Sequence, residues 1–207
     1  MRLLREYIKE LLLEAAAGVE DVEASDVYVV IEDAGDIDIF YADESGEARA
    51  MGSNPPYGSI SIMKPDGGTG PCDDAYTIFF SEASKGWGPM LYDIAIEIAT
   101  MRGGGLTPDR GTVSPEAMNV WRYYDANRSD VTGHQLDATD KDAKIGKIQK
   151  LTPDVVTDDC AQRSAMKDAI EQTGDKQNWA SSPLSRRYTK SPSTIQALRF
   201  SKRLIEK

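Results

Sequence analysis

Between Ala75 and Met101 the sequence reads AYTIFFSEASKGWGPMLYDIAIEIATM, and this stretch constrains the fold more than any other. AYTIFF is a short uncharged run of the kind found in a strand near the middle of a sheet. Gly86-Trp87-Gly88-Pro89 breaks it, and Met90, Ile94, Ile96, Ile98 and Met101 then follow a helical pattern with little polar interruption. Pro89 suits a first helical turn, where no amide needs an intrahelical partner, and Gly103-Gly104-Gly105 ends the pattern. A buried strand that feeds a buried helix through the short segment Ser81–Gly88 requires layers of both kinds.

The flanking segments agree. Val27–Val30 is an apolar β-branched run, and Ile37, Ile39 and Tyr41 alternate with Asp36, Asp38 and Phe40. DESGE reads as a hairpin turn, and YGSISIMK places Ile60 and Ile62 on one face and Ser59 and Ser61 on the other. LTPDR reads as a short strand or an extended connection. Ser114 caps a second helix that has Pro115 at its first position and Glu116 beside it. Ala117, Val120, Trp121 and Tyr124 line one face of that helix. Residues 128–159 read as polar loop, residues 160–172 as helix, SSPLSRRYTKSPST as a turn-rich connection and Thr194–Glu206 as an amphipathic helix. The expected class is α+β (mixed α/β): a central, mostly antiparallel sheet flanked by helices, with a looser helical C-terminal extension.

Charge narrows the function classes. The 207 residues carry a formal charge of -10, which disfavours nucleic-acid binding by the whole molecule. Residues 176–207 hold eight of the 24 basic residues and one of the 34 acidic ones, so this end is basic and the rest strongly acidic. That end is either a basic segment docked on an acidic body or a site for an anionic ligand. Cys72 and Cys160 share no ligand spacing, and His134 is the single histidine, so no metal site is expected. No apolar run approaches the roughly 20 residues that span a bilayer, so no membrane association is expected.

Gly86-Trp87-Gly88 is either a tight turn or a phosphate cradle. Glycines at a helix start leave backbone amides unobstructed at the positive end of the helix dipole, where a pyrophosphate can accept hydrogen bonds. Lys85 could add charge. Glu82, at the end of the preceding strand, is either a solvated carboxylate or a general base.

The order of strands, central apolar strand, Gly-x-Gly, helix, strand and capped helix resembles the GNAT superfamily of N-acetyltransferases over roughly residues 25–130. That family binds the pyrophosphate of coenzyme A with Gln/Arg-x-x-Gly-x-Gly/Ala, which falls here on Ala83-Ser84-Lys85-Gly86-Trp87-Gly88. Its next helix carries Asn-x-x-Ala-x-x-Leu-Tyr, which falls on Ser114 to Trp121. The resemblance implies acetyl-CoA as co-substrate, an amine acceptor, and a coenzyme site of Lys85, Gly86, Trp87, Gly88 and Ser114. Ala83 replaces the residue that contacts pyrophosphate. Trp121 replaces the tyrosine that protonates the departing thiolate, a task for which an indole N–H is too weak an acid. Tyr123, in the same turn, is then the candidate acid and Glu82 the candidate base, while Tyr124 shares the face of Trp121 and reads as core. The same departures fit a GNAT-like binding or virion component that has lost catalysis.

The N-terminal segment MRLLREYIKELLLEAAAG places Leu4, Ile8, Leu11 and Leu12 on one side of a helix with charges interleaved. It is an ordinary first helix or, by resemblance, a capsid-targeting propeptide of the internal proteins of tailed bacteriophages. Prohead proteases cut such propeptides after Leu/Ile-x-Glu, here Leu12-Leu13-Glu14 before three alanines, a pattern that Ile8-Lys9-Glu10 also fits. The segments GLTPDRGTVSPEAMNVWRYY and SPLSRRYTK are likewise similar to acetyltransferase-like proteins of tailed phages. This resemblance implies phage capsid or prohead partners and a place in the host cytoplasm or the virion interior. The expected organisation is an amphipathic helix over 1–14, a GNAT-like domain over 19–130, and an extension over 131–207 with a polar loop and a basic C-terminal helix.

Overall fold

The computed structural model describes residues 16–50, 57–64, 74–108, 113–138, 159–160 and 182–207. The expected helix over 1–14 lies outside them, as does that over 160–172 apart from Cys160. The described residues form a mixed α+β structure with four helices and a mostly antiparallel sheet of eight strands. In chain order the elements are α1 (Val19–Ala24), β1 (Tyr28–Asp33), β2 (Ile37–Ala42), β3 (Gly58–Met63), β4 (Tyr76–Ala83), α2 (Gly88–Arg102), β5 (Leu106–Thr107), α3 (Pro115–Asn127), β6 (Val131–Gln135), β7 (Asp137–Ala138), β8 (Asp159–Cys160), β9 (Arg186–Lys190), α4 (Ser193–Phe200) and β10 (Leu204–Glu206). The sheet order is β10-β1-β2-β3-β4-β5-β9-β6, and β7 and β8 form a separate parallel pair. None of the helices among the described residues is long and apolar enough to cross a membrane.

The chain divides into two compact units. The first comprises Met1–Ser61, Phe80–Ala95 and Pro192–Lys207. In it β1 pairs antiparallel with β2 from Tyr28↔Ala42 to Asp33↔Ile37, and parallel with β10 from Val29↔Leu204 to Ile31↔Glu206. Val29, Val30 and Ile31 are buried in succession, as expected of a strand covered on both faces, whereas β2 buries only its alternate residues Ile37, Ile39 and Tyr41 up to its last residue. Gly58 opens β3 where the backbone must come close to its neighbours. A Cβ there would lie 3.0 Å from Ala83, Leu91 and Tyr41 side-chain atoms.

The second unit comprises Ile62–Phe79 and Ile96–Ser191. Here β4 runs parallel to β5 through Tyr76↔Leu106 and Thr77↔Thr107, while β9 is antiparallel to both β5 and β6. Ser114 caps α3 as its sequence suggests, with its hydroxyl accepting from the Ala117 amide at 3.1 Å. Met118, Trp121 and Tyr124 are the buried face of α3, and Trp121 stacks on Tyr188 of β9 with centroids 5.0 Å apart. On α2, Glu97 is fully buried and forms an ion pair with Lys190 of β9, itself 3% exposed, and the Lys190 amide donates to Thr100 Oγ1 at 3.0 Å.

The C-terminal third differs from the expected loop and helix. Residues 131–135, 186–190 and 204–206 are strands of the main sheet, and the last helix ends at Phe200. Residues 192–207 belong to the first compact unit and 96–191 to the second. In SRRYTK the buried positions are Tyr188 and Lys190, so one of the inward residues is a charged side chain neutralised by Glu97. An alternation of apolar and polar residues was therefore absent from the sequence. Lys202, with φ 60, turns the chain out of α4 and into β10.

Candidate functional site

In the first unit Glu82, at the end of β4, is followed by Lys85, Gly86 and Trp87 on the connection to α2, which begins at Gly88. Gly86 adopts φ 87, a conformation that glycine takes without the steric penalty of a Cβ. Its carbonyl accepts from the Ala17 amide at 2.9 Å, and the Trp87 amide donates to Ser84 O at 3.0 Å. Tyr41 Oη, from the fully buried β2 side, donates to the Trp87 carbonyl at 2.7 Å. The Tyr41 and Trp87 rings meet edge to face at 5.2 Å. Burial first, and Asp93 second, push the Tyr41 phenol far above its ordinary range, so it remains a donor.

These bonds decide which amides face a ligand. The Trp87 amide is used within the turn and Pro89 has none. A trans peptide points its N–H opposite to its carbonyl. Because the Trp87 carbonyl turns onto buried Tyr41, the Gly88 N–H points the other way, away from Tyr41, at the start of the 15-residue α2. With the Trp87 amide used and Pro89 lacking one, the cradle is narrower than Gly-x-Gly alone suggests. Lys85 is exposed beside it. Ala83 packs near Gly58 and Gly88, its Cβ 3.0 Å and 3.7 Å from where theirs would stand. Close approach explains why no long side chain occupies position 83.

Glu82 is half-buried, and one carboxylate oxygen accepts from Tyr57 Oη at 2.9 Å. That bond, followed by partial burial and the Glu82 charge, holds the Tyr57 phenol above its ordinary range. Tyr57 is fixed twice to the loop: the Ser84 amide donates to Tyr57 O at 3.0 Å, and the Tyr57 amide to Ser84 Oγ at 3.2 Å. Sequence reasoning missed Tyr57. It lies 25 residues before Glu82, and only the approach of β3 to β4 brings the two together.

Ser114 and Tyr123 belong to the second unit. The Ser114 hydroxyl serves the α3 cap. Tyr123 is half-buried with its ring 6.0 Å from that of Tyr124. Trp121 and Tyr124 are core residues. Among the described residues no group of three or more His, Cys, Asp or Glu is placed to hold a metal ion. No protein-family model matches the chain, nor does any curated protein or solved structure.

Proposed function

We propose that the protein is a GNAT-like acyltransferase that moves an acetyl group from acetyl-CoA to an amine. The observation that carries this reading is the turn at the head of α2, with Gly86 at φ 87 and the Trp87 carbonyl held by Tyr41, and with Glu82 six residues before Gly88 at the end of β4. Gly88 and the exposed Lys85 would hold the pyrophosphate, by hydrogen bond and by charge. Glu82 would take the proton from the acceptor amine as the nitrogen attacks the thioester carbonyl. The parallel β4–α2–β5 unit supports the same reading, because a helix following a parallel strand presents its N-terminus at that strand's carboxyl end.

Titration calorimetry with acetyl-CoA tests the proposal. Saturable binding that weakens in Lys85→Ala and with added salt is expected; no heat at near-millimolar ligand removes it. A second reading, a GNAT-like virion or binding component without catalysis, is favoured by one observation. Trp121, where the resemblance implies the acid, is sealed in the core against Tyr188. Acetyl-CoA binding without transfer to any amine would support that reading.

A further inference from the structure

Acyl transfer to an amine needs an acid for the departing sulfur as well as a base for the nitrogen. Trp121 is buried and its N–H is not a usable acid, but in the first unit a hydroxyl already touches the proposed base. Tyr57 Oη donates to Glu82 Oε1 at 2.9 Å, and Ser84 holds the Tyr57 backbone from both sides. We propose that Tyr57 is the catalytic acid and that Glu82 and Tyr57 act as one proton relay. This inference rests on the acyl-transfer reading.

The step balances. The amine lone pair attacks the thioester carbonyl carbon, the C–N bond forms, and the C–S bond breaks as the tetrahedral intermediate collapses. The nitrogen's proton passes to Glu82, and the phenol's proton passes to the leaving sulfur. Glu82 returns its proton to the Tyr57 oxygen along their hydrogen bond, which restores both side chains. The products are the amide and the free thiol. A phenol held above its ordinary range is by itself a poor acid toward a thiolate. Coupled to a carboxylic acid it is not, because the net transfer then runs from carboxyl to sulfur, strongly downhill.

Tyr57→Phe keeps the ring and removes the hydroxyl, and with it the relayed proton and the hydrogen bond to Glu82. With acetyl-CoA and a panel of primary amines led by n-butylamine, kcat should fall about 10²-fold while the calorimetric Kd for acetyl-CoA stays within twofold. With p-nitrophenyl acetate, whose leaving group needs no proton, Tyr57→Phe should lose far less than with acetyl-CoA, while Glu82→Gln should be impaired with either donor. A structural role for Tyr57 would lower both donors alike, and that result overturns the relay. So do an unaffected Tyr57→Phe, and a loss of acetyl-CoA turnover seen in Tyr123→Phe instead. Tyrosine-ring carbon NMR adds a readout free of turnover: Tyr57 should titrate above free tyrosine and move down in Glu82→Gln. An ordinary titration insensitive to Glu82 sinks the relay too. If the native protein does not bind acetyl-CoA, or binds it and acetylates no amine, the acyltransferase reading itself has failed; if the native protein acetylates an amine and Tyr57→Phe does so equally well, only the relay has.

Discussion

Tyr41 Oη donates to the Trp87 carbonyl at 2.7 Å, and this bond couples a core side chain of β2 to the turn that starts α2. Tyr41→Phe leaves that carbonyl without the hydroxyl while preserving the edge-to-face contact. A stability loss of about 1–3 kcal/mol is expected, typical of a buried acceptor that loses its partner. Acetyl-CoA binding should weaken with it, because the direction of the Gly88 amide is set by the same peptide plane. Urea denaturation and calorimetry on one variant check both. Weaker folding with unchanged ligand affinity would show that the amide is not part of the site.

Gly86 sits at φ 87, which strains any residue with a Cβ. Gly86→Ala should destabilise the protein by about 1–2 kcal/mol. Gly86→Asn should lose less, since asparagine tolerates the left-handed region better. Equal stability of all three in denaturant titrations would mean that the turn does not adopt this conformation in solution.

Lys190 and Glu97 test a buried charge pair in the second unit. Removing one partner strands the other: Lys190→Met should cost about 3–5 kcal/mol. The double change Lys190→Met with Glu97→Leu should recover much of that loss, since an apolar pair replaces an ionic one. A double-mutant cycle by thermal unfolding measures the coupling. Additive losses would show that the pair does not act as a unit.

How much of this was legible in the sequence depends on which residues carried the pattern. The α2 helix, with Ile94, Ala95, Ile96, Ile98 and Ala99 buried nearly all round, declares itself through continuous apolar character, and β2 through its two-residue alternation. The Ser114-Pro115 start of α3 is local chemistry and was read correctly. β9 was not legible because its inward Lys190 is neutralised by a residue 93 positions away. β10 was not, because the chain leaves α4 at Lys202, which takes φ 60 with no glycine to mark the break before Leu204. In the candidate site the Gly86–Gly88 turn and Glu82 were visible as a contiguous string. Tyr57 was not, because its role exists only through a long-range strand contact.

His134 gives a pH test on the antiparallel β6–β9 pair. Its Nε2 lies 2.9 Å from Thr189 Oγ1, and burial, reinforced by the Arg187 charge, pulls its pKa below the ordinary value of 6.5. The folded state thus binds the His134 proton less readily than the unfolded chain. Its contribution is fully present above pH about 6.5 and is lost as pH falls through the lowered folded value. Midpoints of unfolding should therefore decline on acidification through this range, and His134→Gln should flatten that decline. An identical pH profile in the variant would assign the acid sensitivity to the carboxylates instead.

Glu82→Gln separates binding from chemistry at the candidate site. Glutamine keeps the size of the side chain and can still accept from Tyr57 Oη through its carbonyl oxygen, so the loop that carries Gly86 and Gly88 should stay in place. It cannot take a proton from an amine. The expected outcome is an acetyl-CoA Kd within twofold of the native value and a fall in kcat of about 10²-fold or more. Since a missing base matters most when the acceptor is least nucleophilic, the loss should deepen as the probe amine becomes more acidic. Turnover equal to the native protein across such a series would remove Glu82 from the mechanism, whereas loss of acetyl-CoA binding would make it a support of the turn.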